Sequence, residues 1–154
     1  MRRRELFAAA LGAGLAVPAA ARGQDRDVAI VRSLIAHEEG AAFAYRGLRL
    51  PGLDDPAGQD ADHVKALKTE LQGLYSGATP ISPEDIDEAA RRLRDASTAA
   101  ERRAAAIALE TDVLDMYREA VLGLSQPAIL QTAATILACH AQRRALLSPA
   151  SYSQ

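Results

Sequence analysis

Apolar residues recur at helical spacing in four long stretches of this chain. The pattern predicts amphipathic helices over about residues 27–49, 57–74, 98–123 and 127–147. A shorter, charged helix is predicted over about 83–95, because Ser82 and Pro83 have the order of a helix cap and a first-turn proline. Two helical hairpins joined by a long crossover with this extra helix predict an all-α four-helix bundle over 27–147, followed by a loose tail over 148–154.

Two of the apolar stripes have a glutamate at their centre and a tyrosine seven residues later. These are Glu38 with Tyr45 and Glu110 with Tyr117. A buried carboxylate is unfavourable unless another group pairs with it. The helix that follows each stretch has a histidine on its own apolar stripe, and the repeat therefore suggests a metal site inside the bundle. We expect the tyrosines to pack in the core, and the alternative is that their hydroxyls bond to the ligands.

Composition limits the class of protein. The 154 residues are 49% hydrophobic and only 4% aromatic, without tryptophan, which favours one domain of closely packed helices. The formal net charge is −2, so there is no basic patch to bind nucleic acid, and we expect no such partner. Cys139 is the only cysteine, which rules out a disulfide within the chain.

The first 21 residues have the features of a cleaved signal peptide. Arginines at 2–4 precede an apolar run over 6–17, and the small residues 19–21 form an A-x-A type cleavage site. The segment Arg3–Phe7 resembles a twin-arginine export signal, although Leu-Phe reverses the usual order. The apolar run is too short to span a bilayer comfortably. The leader therefore predicts a periplasmic, extracellular or cell-envelope protein without stable membrane insertion after cleavage.

The second helix adds an acid and a histidine at a spacing that suits metal binding. Asp60 and His63 are three residues apart, so both side chains project from one face of a helix. The segments over 38–45, 59–67, 108–117 and 132–143 occur in the order found in the ferritin-like superfamily. Residues 27–147 resemble this superfamily, and most of all the exported bacterial ferritin-like domains. The resemblance implies a ferritin-like four-helix bundle with a carboxylate and histidine metal site in its core.

The fourth long helix departs from the family pattern. The resemblance places His140 where the acid of a Glu-x-x-His pair is expected, and Arg143 where its histidine is expected. Arginine stays protonated and does not ligate metals, so Arg143 replaces an expected ligand. The remaining candidate ligands are Glu38, Asp60, His63, Glu110 and His140.

Three hypotheses follow from these residues. In the first, the five candidate ligands bind one iron, manganese or zinc ion, and an oxidase activity stays open. In the second, Arg143 forms a salt-bridge network with Glu110 and Glu38, and the protein is a metal-free helical bundle with a structural or interaction role in the cell envelope. In the third, the chain is an unrelated bundle in which Glu38 and Glu110 do not face each other. A homo-oligomer is open under each hypothesis, and no feature of the chain favours a ferritin cage.

Overall fold

The computed structural model describes residues 19–72 and 87–148, and five α-helices cover most of these residues. The helices are α1 (Ala19–Tyr45), α2 (Pro56–Glu70), α3 (Glu88–Asp95), α4 (Ala99–Gly123) and α5 (Pro127–Leu147). Among the described residues, no helix is both long enough and apolar enough to cross a membrane. The predicted all-α architecture is confirmed.

The four long helices form a bundle of two hairpins. α1 packs on α2 and α4 packs on α5, while contacts between α1 and α4 and between α2 and α5 close the bundle. Glu70 near the end of α2 bonds to Thr132 near the start of α5, so these two helices are antiparallel. The crossover from α2 to α4 contains α3, which packs against α1 and α4. The predicted long crossover with an extra helix is therefore present.

Several helix ends differ from the sequence-based bounds. α1 begins at Ala19, eight residues before the predicted start, and ends at Tyr45, four residues before the predicted end. The early end coincides with Gly47, whose φ of 76° breaks the helix. Among the described residues, α3 covers Glu88–Asp95, and the Asp87 side chain caps its start by accepting from Ala90 N at 2.8 Å. The leader up to residue 18, the segment 73–86 with its predicted cap, and the tail from 149 lie outside the described residues.

Caps set the positions of the two helices that begin on either side of the crossover. The Asp55 side chain caps α2 by accepting from Gly58 N at 3.1 Å. A Cβ atom at Gly58 would lie 2.1 Å from the Asp55 carboxylate, so this cap requires glycine there. At the start of α4, Thr98 and Glu101 form the predicted capping box. The caps define the starts of α2 and α4, the helices that contain Asp60 and Glu110.

One buried acid, which the sequence patterns did not indicate, ties the start of the bundle to the turn between α4 and α5. Asp27 has no exposed surface, and its carboxylate accepts from Ser125 N, Ser125 Oγ and Gln126 N, each at 2.9 Å. These donors precede α5 and have no partner within that helix. Asp27 therefore fixes the entry of α5 against α1.

We expect Asp27→Ala to lower the free energy of unfolding by about 2–3 kcal/mol, because several donors lose their acceptor in a buried place. Urea unfolding would measure this change. Asp25→Ala is the matched control, since Asp25 is exposed two residues earlier on the same helix. Equal stability of the two variants would show that the Asp27 contacts contribute little.

Candidate metal centre

Six ionisable side chains from the four long helices meet at the centre of the bundle. They are Glu38 of α1, Asp60 and His63 of α2, Glu110 of α4, and His140 and Arg143 of α5. All are buried except His63, whose side chain keeps 13% of its surface exposed. The structure thus brings together every site residue that the sequence singled out.

His140 lies between the two glutamates. Its Nε2 is 2.8 Å from Glu38 Oε1, and its Nδ1 is 2.8 Å from Glu110 Oε2. Burial lowers the pKa of His140, but the hydrogen bonds to the two carboxylates have the larger combined effect and raise this pKa to about 9. At neutral pH the imidazolium donates to both glutamates. Glu38 and Glu110 therefore face each other across His140, and the hypothesis of an unrelated bundle is wrong.

Glu38 is held as an anion by two imidazoles. Its Oε2 is 3.0 Å from His63 Nδ1, while its Oε1 faces His140. Burial alone would raise the pKa of Glu38, but the hydrogen bonds and charges of the two histidines lower it to about 2. The carboxylate therefore stays ionised throughout the neutral range.

The two tyrosines bond to the glutamate of the other helix rather than to that of their own. Tyr45 on α1 donates to Glu110 Oε1 at 2.6 Å, and Tyr117 on α4 donates to Glu38 Oε1 at 2.7 Å. This exchange occurs because α1 and α4 run antiparallel. Burial and the adjacent carboxylates raise both phenol pKa values, so the hydroxyls remain donors. Both tyrosines pack in the core and also hold the glutamates in place.

Arg143 binds the acid of α2. Its Nη2 forms an ion pair with Asp60 Oδ1, and its Nη1 lies 3.6 Å from Glu110 Oε1. The salt bridge to Glu110 was part of the metal-free hypothesis, but Asp60 takes the place expected for Glu38. The Glu38 carboxylate is instead hydrogen-bonded to two histidines and a tyrosine.

Opposing effects of burial and of neighbouring charges set the pKa of Asp60. Burial raises this pKa, Arg143 opposes the rise and the charge of Glu38 adds to it, and the result is a pKa of about 6. The second carboxylate oxygen, Oδ2, is buried and has no hydrogen-bond partner among the described residues. An unsatisfied buried oxygen calls for an explanation such as an ion or a water molecule.

The cluster has two poles that are related by the internal repeat. We call Glu38 with His63 the His63 pole, and Glu110 with Arg143 the Arg143 pole. Asp60 and His140 lie between them and contact both. Since Asp60 and His63 are three residues apart on α2, and His140 and Arg143 are three apart on α5, Arg143 occupies the position that corresponds to His63.

The His63 pole and the two shared residues offer donors that fit one metal ion. One ligand atom from each of Glu38, Asp60, His63 and His140 lies within 4.8 Å of the others. Ligands bound to one ion at about 2.0–2.2 Å lie up to about 4.4 Å apart, so small side-chain shifts would close the set. The group does not include Glu110, which Tyr45 and His140 engage. At the other pole, the Arg143 guanidinium lies beside Asp60 and Glu110.

The titration of His140 predicts how the stability of the metal-free protein depends on pH. A histidine whose pKa rises from 6.5 to about 9 on folding contributes stability that is complete below pH 6.5 and is lost as the pH rises through 9. The loss should be on the order of 3 kcal/mol. Urea unfolding in chelator, from about pH 6 to about pH 10, measures it. His140→Gln should lack this decline, and an equal decline in both proteins would contradict the assignment.

Comparison with known proteins places the chain in a family. A family model described as a ferritin-like domain matches residues 51–153, which is more than half of the chain. The matched segment contains Asp60, His63, Glu110 and His140, whereas Glu38 lies on α1 before it. No curated protein and no solved structure matches the chain. The chain belongs to the family of ferritin-like domains.

Proposed function

We propose that this chain is an exported ferritin-like protein that binds one divalent transition-metal ion through Glu38, Asp60, His63 and His140. The proposal rests on one observation: each of these four residues has a ligand atom, and the four atoms lie within 4.8 Å of one another. The unpartnered Asp60 Oδ2 within the same cluster supports it, since a metal ion would satisfy this oxygen.

The donor set favours particular metals. Two carboxylates and two imidazoles suit iron, manganese and zinc better than a soft ion such as Cu(I), which favours thiolates, or a hard ion such as Ca²⁺, which favours oxygen alone. Iron or manganese in such a site also provides a Lewis acid when bound. The residues of the chain would hold the ion and, through Tyr117, keep the Glu38 carboxylate in one orientation.

Metal content tests the proposal directly. We expect about one ion per chain by elemental analysis of the mature protein, purified from its native compartment without chelator, or reconstituted with Mn²⁺, Zn²⁺ or anaerobic Fe²⁺. Asp60→Asn combined with His63→Ala should abolish binding, because it removes two of the four donors. Asp62→Asn combined with His37→Ala is the matched control, since both residues lie outside the donor group. A wild-type protein that stays free of metal under all these conditions would refute the proposal.

A second candidate function is a metal-free bundle with a structural or interaction role in the cell envelope. It is favoured by the internal pairing, since Arg143 already binds Asp60 and the His140 imidazolium bonds to both glutamates. This candidate requires a purified protein without metal, whose helicity and unfolding midpoint are the same with and without chelator. A midpoint that rises on adding Mn²⁺ or Zn²⁺ would favour the metal-binding protein instead.

Export is proposed from the leader. Arg3 and Arg4 are the two arginines that a twin-arginine translocase would recognise, and an apolar run and small residues follow them. We expect Arg3→Lys with Arg4→Lys to keep the tagged precursor in the cytoplasm, as cell fractionation would show. Arg2→Lys is the control and should be exported normally. Equal export of both variants would exclude the twin-arginine route, and a wild-type chain found in the cytoplasm would exclude export.

A further inference from the structure

We propose that Arg143 acts as a built-in second cation of the cluster and thereby limits the site to one divalent metal ion. The inference rests on the proposed metal-binding function and specifies what sets its stoichiometry. It is carried by the position of the guanidinium, by the internal repeat and by the charge of the cluster.

The guanidinium lies at the Arg143 pole, beside Glu110, which is not one of the four candidate metal donors. Its Nη2 binds Asp60 Oδ1, and its Nη1 lies 3.6 Å from Glu110 Oε1 and 3.4 Å from the carbonyl oxygen of Pro56. Nη2 also lies 2.8 Å from Nδ1 of His140. The guanidinium is thus surrounded by oxygen and imidazole groups that a metal ion would otherwise use.

The repeat of the two hairpins identifies this place as the counterpart of the metal-binding pole. His63 is close to Glu38 of the neighbouring helix, and Arg143 is close to Glu110 in the same way. The two carboxylate oxygens of Asp60 differ in the same way. Oδ1 binds Arg143, whereas Oδ2 lacks a hydrogen-bond partner in the described part of the chain. One pole thus has a fixed cation, and the other has donors available for an ion.

The charge of the cluster agrees with a single ion. When both imidazoles are neutral ligands, three carboxylates and Arg143 leave two negative charges, which one divalent ion neutralises. Two divalent ions would instead leave two positive charges in a buried site, which is strongly unfavourable. Without Arg143, one divalent ion would leave one negative charge and two ions would leave one positive charge, so a second ion would no longer leave two uncompensated positive charges in the site.

The test is the metal stoichiometry of Arg143→Ala, reconstituted with Mn²⁺ or with Zn²⁺ and measured by elemental analysis. We expect the stoichiometry to rise from about one ion per chain in the wild type to about two. The unfolding midpoint of the variant should fall in chelator and recover with metal, because the metal replaces the lost charge. Arg143→Lys keeps a cation and should bind one ion. Arg144→Ala is the matched control, because Arg144 bonds to Thr111 and Ser148 away from the cluster.

The outcomes separate this inference from the proposed function. If the wild type binds no metal but Arg143→Ala gains one or more ions, the proposed function fails and the limit of one ion is overturned, because Arg143 then excludes metal altogether. If wild type and variant both bind one ion, the proposed function stands and the role of Arg143 is overturned. If neither protein binds metal, both are overturned.

Arg143→Ala is expected to fold poorly in chelator, since it leaves Asp60 without its cation. In that case the variant is refolded in Mn²⁺ or Zn²⁺, where recovery of helicity with two bound ions supports the inference and failure to recover overturns it. The paired variant His140→Glu with Arg143→His provides a second test. It replaces the cation with an imidazole and restores an acid, and we expect it to bind two ions. A single ion in this variant would contradict the role of Arg143.

Discussion

The bundle depends on compensation of the negative charge buried at its centre. Glu38, Asp60 and Glu110 are each at most 1% exposed, and an unpaired charge in such a place costs several kcal/mol. Each acid is compensated by side chains from a different helix. Tyr117 connects α4 to α1, Arg143 connects α5 to α2, and His140 connects α5 to both α1 and α4. The same contacts that neutralise the acids therefore hold all four long helices together.

This network determines register more than it determines net stability. A buried ionic cluster need not be more stable than an apolar core of the same shape, whereas removal of one member leaves an uncompensated charge. A shift by one turn would separate Tyr45 from Glu110 and His140 from both glutamates. The hydrogen bonds of the polar cluster therefore depend on this one alignment of the helices.

The sequence predicted the site residues better than their contacts. The stripe position of Glu38 and Glu110 and the spacing of Asp60 and His63 depend only on helical periodicity, which is readable from the chain. The exchange of tyrosines between helices, and the pairing of Arg143 with Asp60 instead of Glu38, depend on the antiparallel packing of helices far apart in sequence. Asp27 was missed because an acid near a helix start usually faces solvent, and only the turn before α5 makes it a buried acceptor.

The difference between the two poles has a consequence for chemistry. In two-metal sites, both ions bind oxygen ligands and act together on one substrate. A guanidinium at one pole supplies positive charge, but it can neither coordinate a ligand nor change its oxidation state. It is also part of α5 and cannot dissociate, so the Arg143 pole stays neutralised whether or not a metal is present. With the proposed single ion at the His63 pole, such a cluster would be suited to holding one metal ion and less suited to chemistry that couples two.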